Sequence, residues 1–261
     1  MGKKAMLIDV SKCTGCRACQ VACKGWNDLP AEETKCVGVY DNPPDLSPVT
    51  WNRIAFFEIE RDNGRLDWVF RSVRCLHCAD APCVRVCPTG ALYKDPLGYT
   101  ALDQSKCNGC GYCVEFCPFE IPRLTEADIW GKGKSTKCTF CPDRVSNGMQ
   151  PACAQACPTG AIEYGDRDAL VAKGKKRVEE LKSRYPDANL YGENILGGLG
   201  VMYVLTDRPS VLGLPEEPSG SLAETWQPWI QTIGGFAVGA TALGLAIDWL
   251  VARKKIKAEE V

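Results

Sequence analysis

Sixteen of the seventeen cysteines in this 261-residue chain fall into four short runs, and their spacing restricts what the chain can fold into more than any other feature. The runs are Cys13, Cys16, Cys19 and Cys23; Cys75, Cys78, Cys83 and Cys87; Cys107, Cys110, Cys113 and Cys117; and Cys138, Cys141, Cys153 and Cys157. The first and third read C-x2-C-x2-C-x3-C, the second C-x2-C-x4-C-x3-C and the fourth C-x2-C-x11-C-x3-C. Proline follows the last cysteine three times (Pro88, Pro118, Pro158), and Lys24 stands there in the first run. With one histidine and four methionines beside them, any metal chemistry is thiolate chemistry, which selects iron-sulfur clusters, zinc or copper(I). A bis-histidine haem cannot be built from His77 alone, and no C-x-x-C-H attachment run occurs.

A disulfide framework is disfavoured by the odd total and by gaps of two or three residues in a sizeable chain. Structural zinc uses paired C-x2-C knuckles, which leaves the third cysteine and the C-x3-C-P ending of most runs unexplained. The runs instead reproduce the bacterial ferredoxin pattern, in which three bunched thiolates hold one [4Fe-4S] cube. Internal repetition agrees: IDVSKCTGCRAC (8–19) matches LDQSKCNGCGYC (102–113), and CVRVCPTGAL (83–92) matches CAQACPTGAI (153–162). Gly15 and Gly109 fall between the first two cysteines, where the backbone must turn tightly towards sulfur. In two-cluster ferredoxins the fourth cysteine of each run ligates the other cluster. Four runs make two such exchanges, and the spacing by itself permits more than one pairing of runs.

The stretches IDVSKCTGCRACQVACKGWND, VRCLHCADAPCVRVCPTGAL, CTFCPDRVSNGMQPACAQACPTGAI and YPDANLYGENILGGLGVMYVLTDRP, with GLPEEP after it, resemble the four-cluster ferredoxin subunits of molybdenum or tungsten oxidoreductases. The family most similar is the beta, iron-sulfur subunit of membrane-bound respiratory formate dehydrogenase. The resemblance implies an α+β chain of two ferredoxin-like domains, each holding two clusters, one domain inserted in the other. The first would be 1–65 with 130–210 and the inserted one 66–129, followed by a linker at 211–227, a transmembrane helix at 228–252 and a tail at 253–261. It also implies four [4Fe-4S] clusters. Their ligands would be Cys13, Cys16, Cys19 and Cys157; Cys23, Cys138, Cys141 and Cys153; Cys75, Cys78, Cys83 and Cys117; and Cys87, Cys107, Cys110 and Cys113. Lys24, in place of proline, should change the exit of the chain and not a ligand.

Elsewhere the sequence reads as scaffold. NRIAFFEIE (52–60) and LDWVFRSVR (66–74) are strand-like, joined by RDNGR at hairpin length, and are expected to line the core. Residues 168–184 have helical spacing with charges on one face, as in a solvated surface helix. DNPPDLSPVT (41–50) is a proline-rich loop. Cys36 belongs to no run and is expected to be a buried small apolar residue. His77, Arg74, Arg85 and Lys106 lie close to ligand positions, where each either shifts a cluster potential or is simply solvated.

From Trp229 to Ile247 no residue is charged, and the stretch continues past Asp248 to Ala252, enough to span a hydrocarbon core about 30 Å thick. Gly235, Gly239, Ala240 and Gly244 offer small surfaces to another membrane helix, and Trp226, Trp229 and Trp249 bracket the span. Arg253, Lys254, Lys255 and Lys257 follow at once, which predicts a cytoplasmic C-terminus with the cluster domain on the far side of the inner membrane. MGKKAMLIDVSK, however, has no apolar signal region. The resemblance reconciles the two, because in that family the large subunit brings a twin-arginine signal.

Lys and Arg number 31 against 32 Asp and Glu, so the basic footprint of a nucleic-acid binder is missing. Nor does any acid, base or nucleophile constellation stand out as a catalytic centre. The expected role is therefore conduction. The resemblance implies electrons passing from a large molybdopterin-containing catalytic subunit through the clusters to a cytochrome b subunit in the lipid bilayer. The competing readings are the equivalent subunit of a hydrogenase or a polysulfide or sulfoxide reductase, and, more remotely, a membrane-tethered zinc or nucleic-acid module.

Overall fold

The computed structural model describes residues 2–36, 38–61, 64–126, 133–218 and 222–259. The chain forms two compact units, Met1–Gly220 and Ser221–Val261. The expected domain boundary at 129/130 and part of the expected linker lie outside the described residues.

The strands of the first unit are β1 (Lys4–Asp9), β2 (Asn52–Glu60), β3 (Leu66–Arg74), β4 (Leu92–Lys94), β5 (Thr100–Leu102), β6 (Arg123–Leu124), β7 (Ser135–Thr136), β8 (Ile162–Asp166), β9 (Asn189–Tyr191) and β10 (Val201–Leu205). Its helices are α1 (Ala18–Trp26), α2 (Pro82–Arg85), α3 (Tyr112–Glu115), α4 (Pro142–Val145), α5 (Ala152–Gln155) and α6 (Arg167–Leu181). The principal sheet has the order β8-β1-β10-β9. β1 lies inside it, parallel to β10 and antiparallel to β8. Continuous apolar runs specify these inner strands: every residue of VMYVL in β10 is buried, as is every residue of KAMLID in β1 except Lys4.

One face of that sheet is covered by α6, which buries Leu170, Gly174, Val178 and Leu181, spaced four, four and three residues apart. A Cβ on Gly174 would lie 2.7 Å from Leu190 Cδ1 and 3.3 Å from Leu7 Cδ1, so glycine sets how closely the helix packs. Outside, Lys173 pairs with Glu163 and Arg177 with the nearly buried Asp9. The helix expected at 168–184 is present, charged outward but anchored by a buried stripe.

β2 and β3 pair antiparallel along their whole length, from Asn52 opposite Arg74 to Glu60 opposite Leu66. This pairing joins residues on either side of the expected 65/66 boundary. The two strands line the core through Ile54 and Val69, with Phe56, Phe57, Ile59 and Phe70 partly buried against it, whereas Leu66 and Trp68 at the far end are 58% and 47% exposed. There Tyr40 packs edge-on against Trp68, with ring centroids 4.9 Å apart.

The cysteine runs occupy loops that lead into short helices. α2, α3 and α5 end at Arg85, Glu115 and Gln155, just before Cys87-Pro88, Cys117-Pro118 and Cys157-Pro158. α1 instead runs through Cys23 to Trp26. Proline limits a helix because its ring clashes with the preceding turn and it lacks an N–H. Lys24 removes that stop, and its Nζ reaches Val49 O and Thr50 Oγ1, both at 3.0 Å.

In the second unit, α7 (Leu222–Glu259) contains Thr232–Arg253, a segment long and apolar enough to cross a membrane. Phe236, Val238, Leu243 and Leu245 are all more than 60% exposed, as the lipid-facing surface of a single-pass helix would be. Trp229 and Trp249 are exposed near its ends, while the side chain of Trp226 lies outside the described residues.

Candidate metal centres

In each cysteine run the residue immediately before the second cysteine has a left-handed backbone: Gly15 (φ 68°), His77 (φ 50°), Gly109 (φ 74°) and Phe140 (φ 71°). This turn brings the first two cysteines of each run to one side of the loop. The two glycines adopt it without strain. A Cβ on Gly109 would stand 2.3 Å from Gly133 O, and one on Gly15 would stand 3.0 Å from the Phe70 ring. His77 and Phe140 take the same turn at a cost of about 1–3 kcal/mol each, offset by packing. Their rings meet edge-on with centroids 4.9 Å apart, and Tyr99 stacks on Phe140 at 5.2 Å and 14°.

The loops gather the sixteen cysteines into four groups. Cys75, Cys78, Cys83 and Cys117 line one hollow of about 360 Å³, counting its mouth, together with Pro82, Pro118 and Ile121. Cys87, Cys107, Cys110 and Cys113 line another of about 310 Å³. The Cys13 thiol sits in the field of Cys16, Cys19 and Cys157, and Cys23 in that of Cys138, Cys141 and Cys153. In each group three cysteines of one run lie beside the last cysteine of another.

The groups also abut in a definite order. Cys19 of the first feels Cys153 of the second. Cys138 of the second feels Cys75 of the third, and Leu46 and Ile121 pack with both of these cysteines. Cys83 and Cys117 of the third feel Cys113 of the fourth, with Ala81 and Leu92 in contact. The four sulfur nests thus neighbour one another in succession, first to second, second to third and third to fourth.

Electrostatics within the nests is dominated by desolvation, which disfavours a free thiolate. Burial pushes Cys13 up to about 11. It pushes Cys117 up to about 11 and Cys83 and Cys138 up to about 12. Cys87 and Cys157 behave oppositely. Burial raises them too, but N–H groups of Leu92, Ala91 and Thr89 around Cys87, and of Ile162, Ala161 and Thr159 around Cys157, together with the threonine hydroxyls, hold both thiols below the usual value. The repeated CPTGA segment is thus a wrap of donors around a sulfur. Ser135 adds another, with its N–H 3.4 Å from Cys107 Sγ and its hydroxyl 3.2 Å from Cys113 Sγ.

This donor chemistry fits a [4Fe-4S] cube. Every nest offers four sulfurs, and several sulfurs face N–H or hydroxyl donors of the kind that tune clusters. Four sulfurs around a single zinc would lie within about 3.8 Å of one another, given Zn–S bonds of about 2.3 Å. Among the described residues no three Cys, His, Asp or Glu side chains are gathered so as to hold a single metal ion.

The charged neighbours separate into two kinds. Arg85 and Lys106 are surface residues paired with Asp80 and Asp103. Arg74 and His77 are 1% and 0% exposed, and Arg74 Nη1 donates to Cys153 Sγ at 2.8 Å. Sequence reasoning missed Lys137 and Lys94, which lie against the same nests; their only signal was proximity to cysteines folded together from distant runs. Cys36 corrects its expectation: it is exposed.

Comparison with known proteins agrees with this donor chemistry. Two family profiles described as 4Fe-4S dicluster domain match residues 66–167 and 12–91. The formate dehydrogenase iron-sulfur subunit of Haemophilus influenzae is 43% identical over 253 residues, covering 94% of this chain and 80% of the relative. The nitrate-inducible formate dehydrogenase iron-sulfur subunit of Escherichia coli is 43% identical over 252 residues, 94% of this chain and 84% of the relative. The formate dehydrogenase-O iron-sulfur subunit of the same organism is 45% identical over 230 residues, 86% of this chain and 74% of the relative.

Proposed function

This chain belongs to the family of formate dehydrogenase iron-sulfur subunits, an electron-transfer family, and from that premise we propose that it carries four [4Fe-4S] clusters in a line between two partners. One partner is a large molybdenum- or tungsten-containing alpha subunit that oxidises formate; the other is a membrane cytochrome b subunit that delivers electrons to quinone. The observation that carries this reading is the succession of four separate sulfur nests, each neighbouring the next. A bound cube supplies a site that accepts and releases one electron without making or breaking a bond to substrate.

The ligand sets are Cys13, Cys16, Cys19 and Cys157; Cys23, Cys138, Cys141 and Cys153; Cys75, Cys78, Cys83 and Cys117; and Cys87, Cys107, Cys110 and Cys113. The chain's own residues hold these sulfurs, exclude water with Leu46, Ile121, Ala81 and Leu92, and aim N–H groups at Cys87 and Cys157. The domain holding the second and third runs is inserted between the two parts of the other, and the shared sheet of β1 with β8 and β10 supports this, because it joins the two ends of that outer domain. The chain is not catalytic by itself. The first nest faces the alpha subunit and the inserted domain faces the cytochrome. α7 anchors the chain in the inner membrane; the basic residues from Arg253 to Lys257 favour a cytoplasmic C-terminus, with the clusters outside.

The test is anaerobic purification of the complex. Iron at about sixteen atoms per chain, as four cubes require, together with formate-dependent reduction of the visible absorbance, supports the reading. Zinc with a blank visible spectrum, or a large partner without molybdopterin, contradicts it.

A further inference from the structure

Three cations are buried or half-buried beside the second and third cysteine groups, and one of them, Arg74, also faces Cys19 of the first. Arg74 and Lys137 are 1% and 2% exposed, and Lys94 is half-buried. Buried charges are ordinarily paired with an opposite charge. Here the hydrogen-bond partners are neutral groups and a cysteine sulfur. Arg74 donates through Nε to Ser72 Oγ (2.8 Å) and through Nη1 to Cys153 Sγ (2.8 Å) and Met6 Sδ (3.8 Å), and its Nη2 has no partner. Lys137 Nζ donates to Thr100 O (2.6 Å) and to Cys138 O (3.1 Å), and it lines the hollow of Cys75, Cys78, Cys83 and Cys117. Lys94 Nζ donates to Cys78 O (2.7 Å), Gly98 O (3.0 Å) and Thr100 Oγ1 (3.1 Å). Thr100 therefore ties the two lysines together. The intervening His77 accepts the Thr100 N–H at Nδ1, and burial beside these cations keeps it neutral.

Lys137 and Lys94 thus face the second and third sets of cysteines, and Arg74 is bonded to Cys153 of the second while also facing Cys19 of the first, with no carboxylate bonded to any of the three among the described residues. Four thiolates outweigh the positive charge of an iron-sulfur core, and one-electron reduction adds a further negative charge. Water and salt do not screen such a site as they would a surface pair. We infer that Arg74, Lys137 and Lys94 are the internal counter-charge of the two middle clusters and raise their reduction potentials above those of the end clusters, so that an electron rests mid-line. This rests on the cluster reading above. The step it biases moves one electron from an end cluster to a middle one, with no proton transferred and no bond broken. The three cations act as positioning residues for charge; they ligate nothing.

The test uses the whole complex, purified anaerobically, with iron analysis and electron paramagnetic resonance followed during a redox titration. The middle clusters are assigned by the signals lost in Cys23→Ser and Cys117→Ser. Lys137→Met should retain full iron but make both middle clusters about tenfold harder to reduce, a shift of about 59 mV for one electron. Lys137→Arg should restore the potentials. Arg74→Met should shift mainly the cluster of Cys153. The exposed Lys106→Gln should shift neither. Should Lys137→Met lose iron, Lys94→Met against Lys94→Arg makes the same comparison with the same outcomes. Unchanged middle potentials at full iron overturn this inference alone; an iron-free wild-type complex overturns the cluster reading and this inference with it.

Discussion

The ring of Phe140 stands edge-on to the imidazole of His77, centroids 4.9 Å apart and planes 69° apart. Each residue precedes the second cysteine of its run, and each holds a left-handed backbone that glycine holds in the other two runs. The contact therefore locks the loops of the second and fourth runs together at the junction of the middle nests. Phe140→Ala should cost about 3–5 kcal/mol through the lost packing and lower the melting temperature of the holo protein. Phe140→Gly should be less damaging than Phe140→Ala, reversing the usual order, because glycine relieves the left-handed backbone. An alanine variant that melts above the glycine variant would contradict this.

Gly109 and Gly15 look equivalent in sequence but meet different neighbours. A Cβ at Gly109 collides with backbone, 2.3 Å from Gly133 O, whereas one at Gly15 meets the movable Phe70 ring at 3.0 Å. Gly109→Ala should therefore lose about four irons per chain, one cube, while Gly15→Ala should retain more. Equal iron contents for the two variants would show that the backbone approach at Gly109 does not matter.

At Gly174 two effects oppose. Alanine in a helix interior is favoured over glycine by about 0.5–1 kcal/mol, but overpacking typically costs about 1–3 kcal/mol. With Leu190 at 2.7 Å and Leu7 at 3.3 Å from the new Cβ, the second should win. Urea unfolding of Gly174→Ala should show a lower midpoint; a higher one would mean that the leucines move aside freely.

Stripping the metal should loosen the whole Met1–Gly220 unit. The nests line hollows of about 310 and 360 Å³ with thiols and apolar groups, and without clusters the loops have only their own packing to hold them open. Chelation under anaerobic conditions should remove the visible absorbance and lower the melting temperature in parallel. A stripped protein that melts at the holo temperature would contradict this.

Short-range patterns carried much of this structure in the sequence. The hairpin at 52–74 appears with its expected strands, because alternation and a turn are local. The C-terminal helix is equally local, since nineteen uncharged residues declare themselves. The cysteine runs announce their grouping through spacing, although the choice among pairings came from family resemblance. What was illegible depended on distant partners. β1 gains its neighbours from residues about 160 and 195 positions later. His77 and Phe140 do not look like turn residues, and packing between their rings and against Tyr99 offsets the cost of that backbone. The sequence left Arg74 open between tuning a cluster and being solvated and gave no sign of Lys137, and only the fold buries both beside sulfurs from separate runs. Cys36 misled in the opposite direction, since a cysteine is usually buried but this one is exposed.

In the proposed arrangement the last cysteine of one run serves the cluster of another, so that four runs make four nests. Cys23→Ser tests it most directly, because Cys23 lies in the first run yet sits among Cys138, Cys141 and Cys153. Electron paramagnetic resonance of the anaerobic complex should show the second cluster lost or altered, the first intact, and iron down by about four per chain. Loss of the first cluster with the second intact would contradict the exchange.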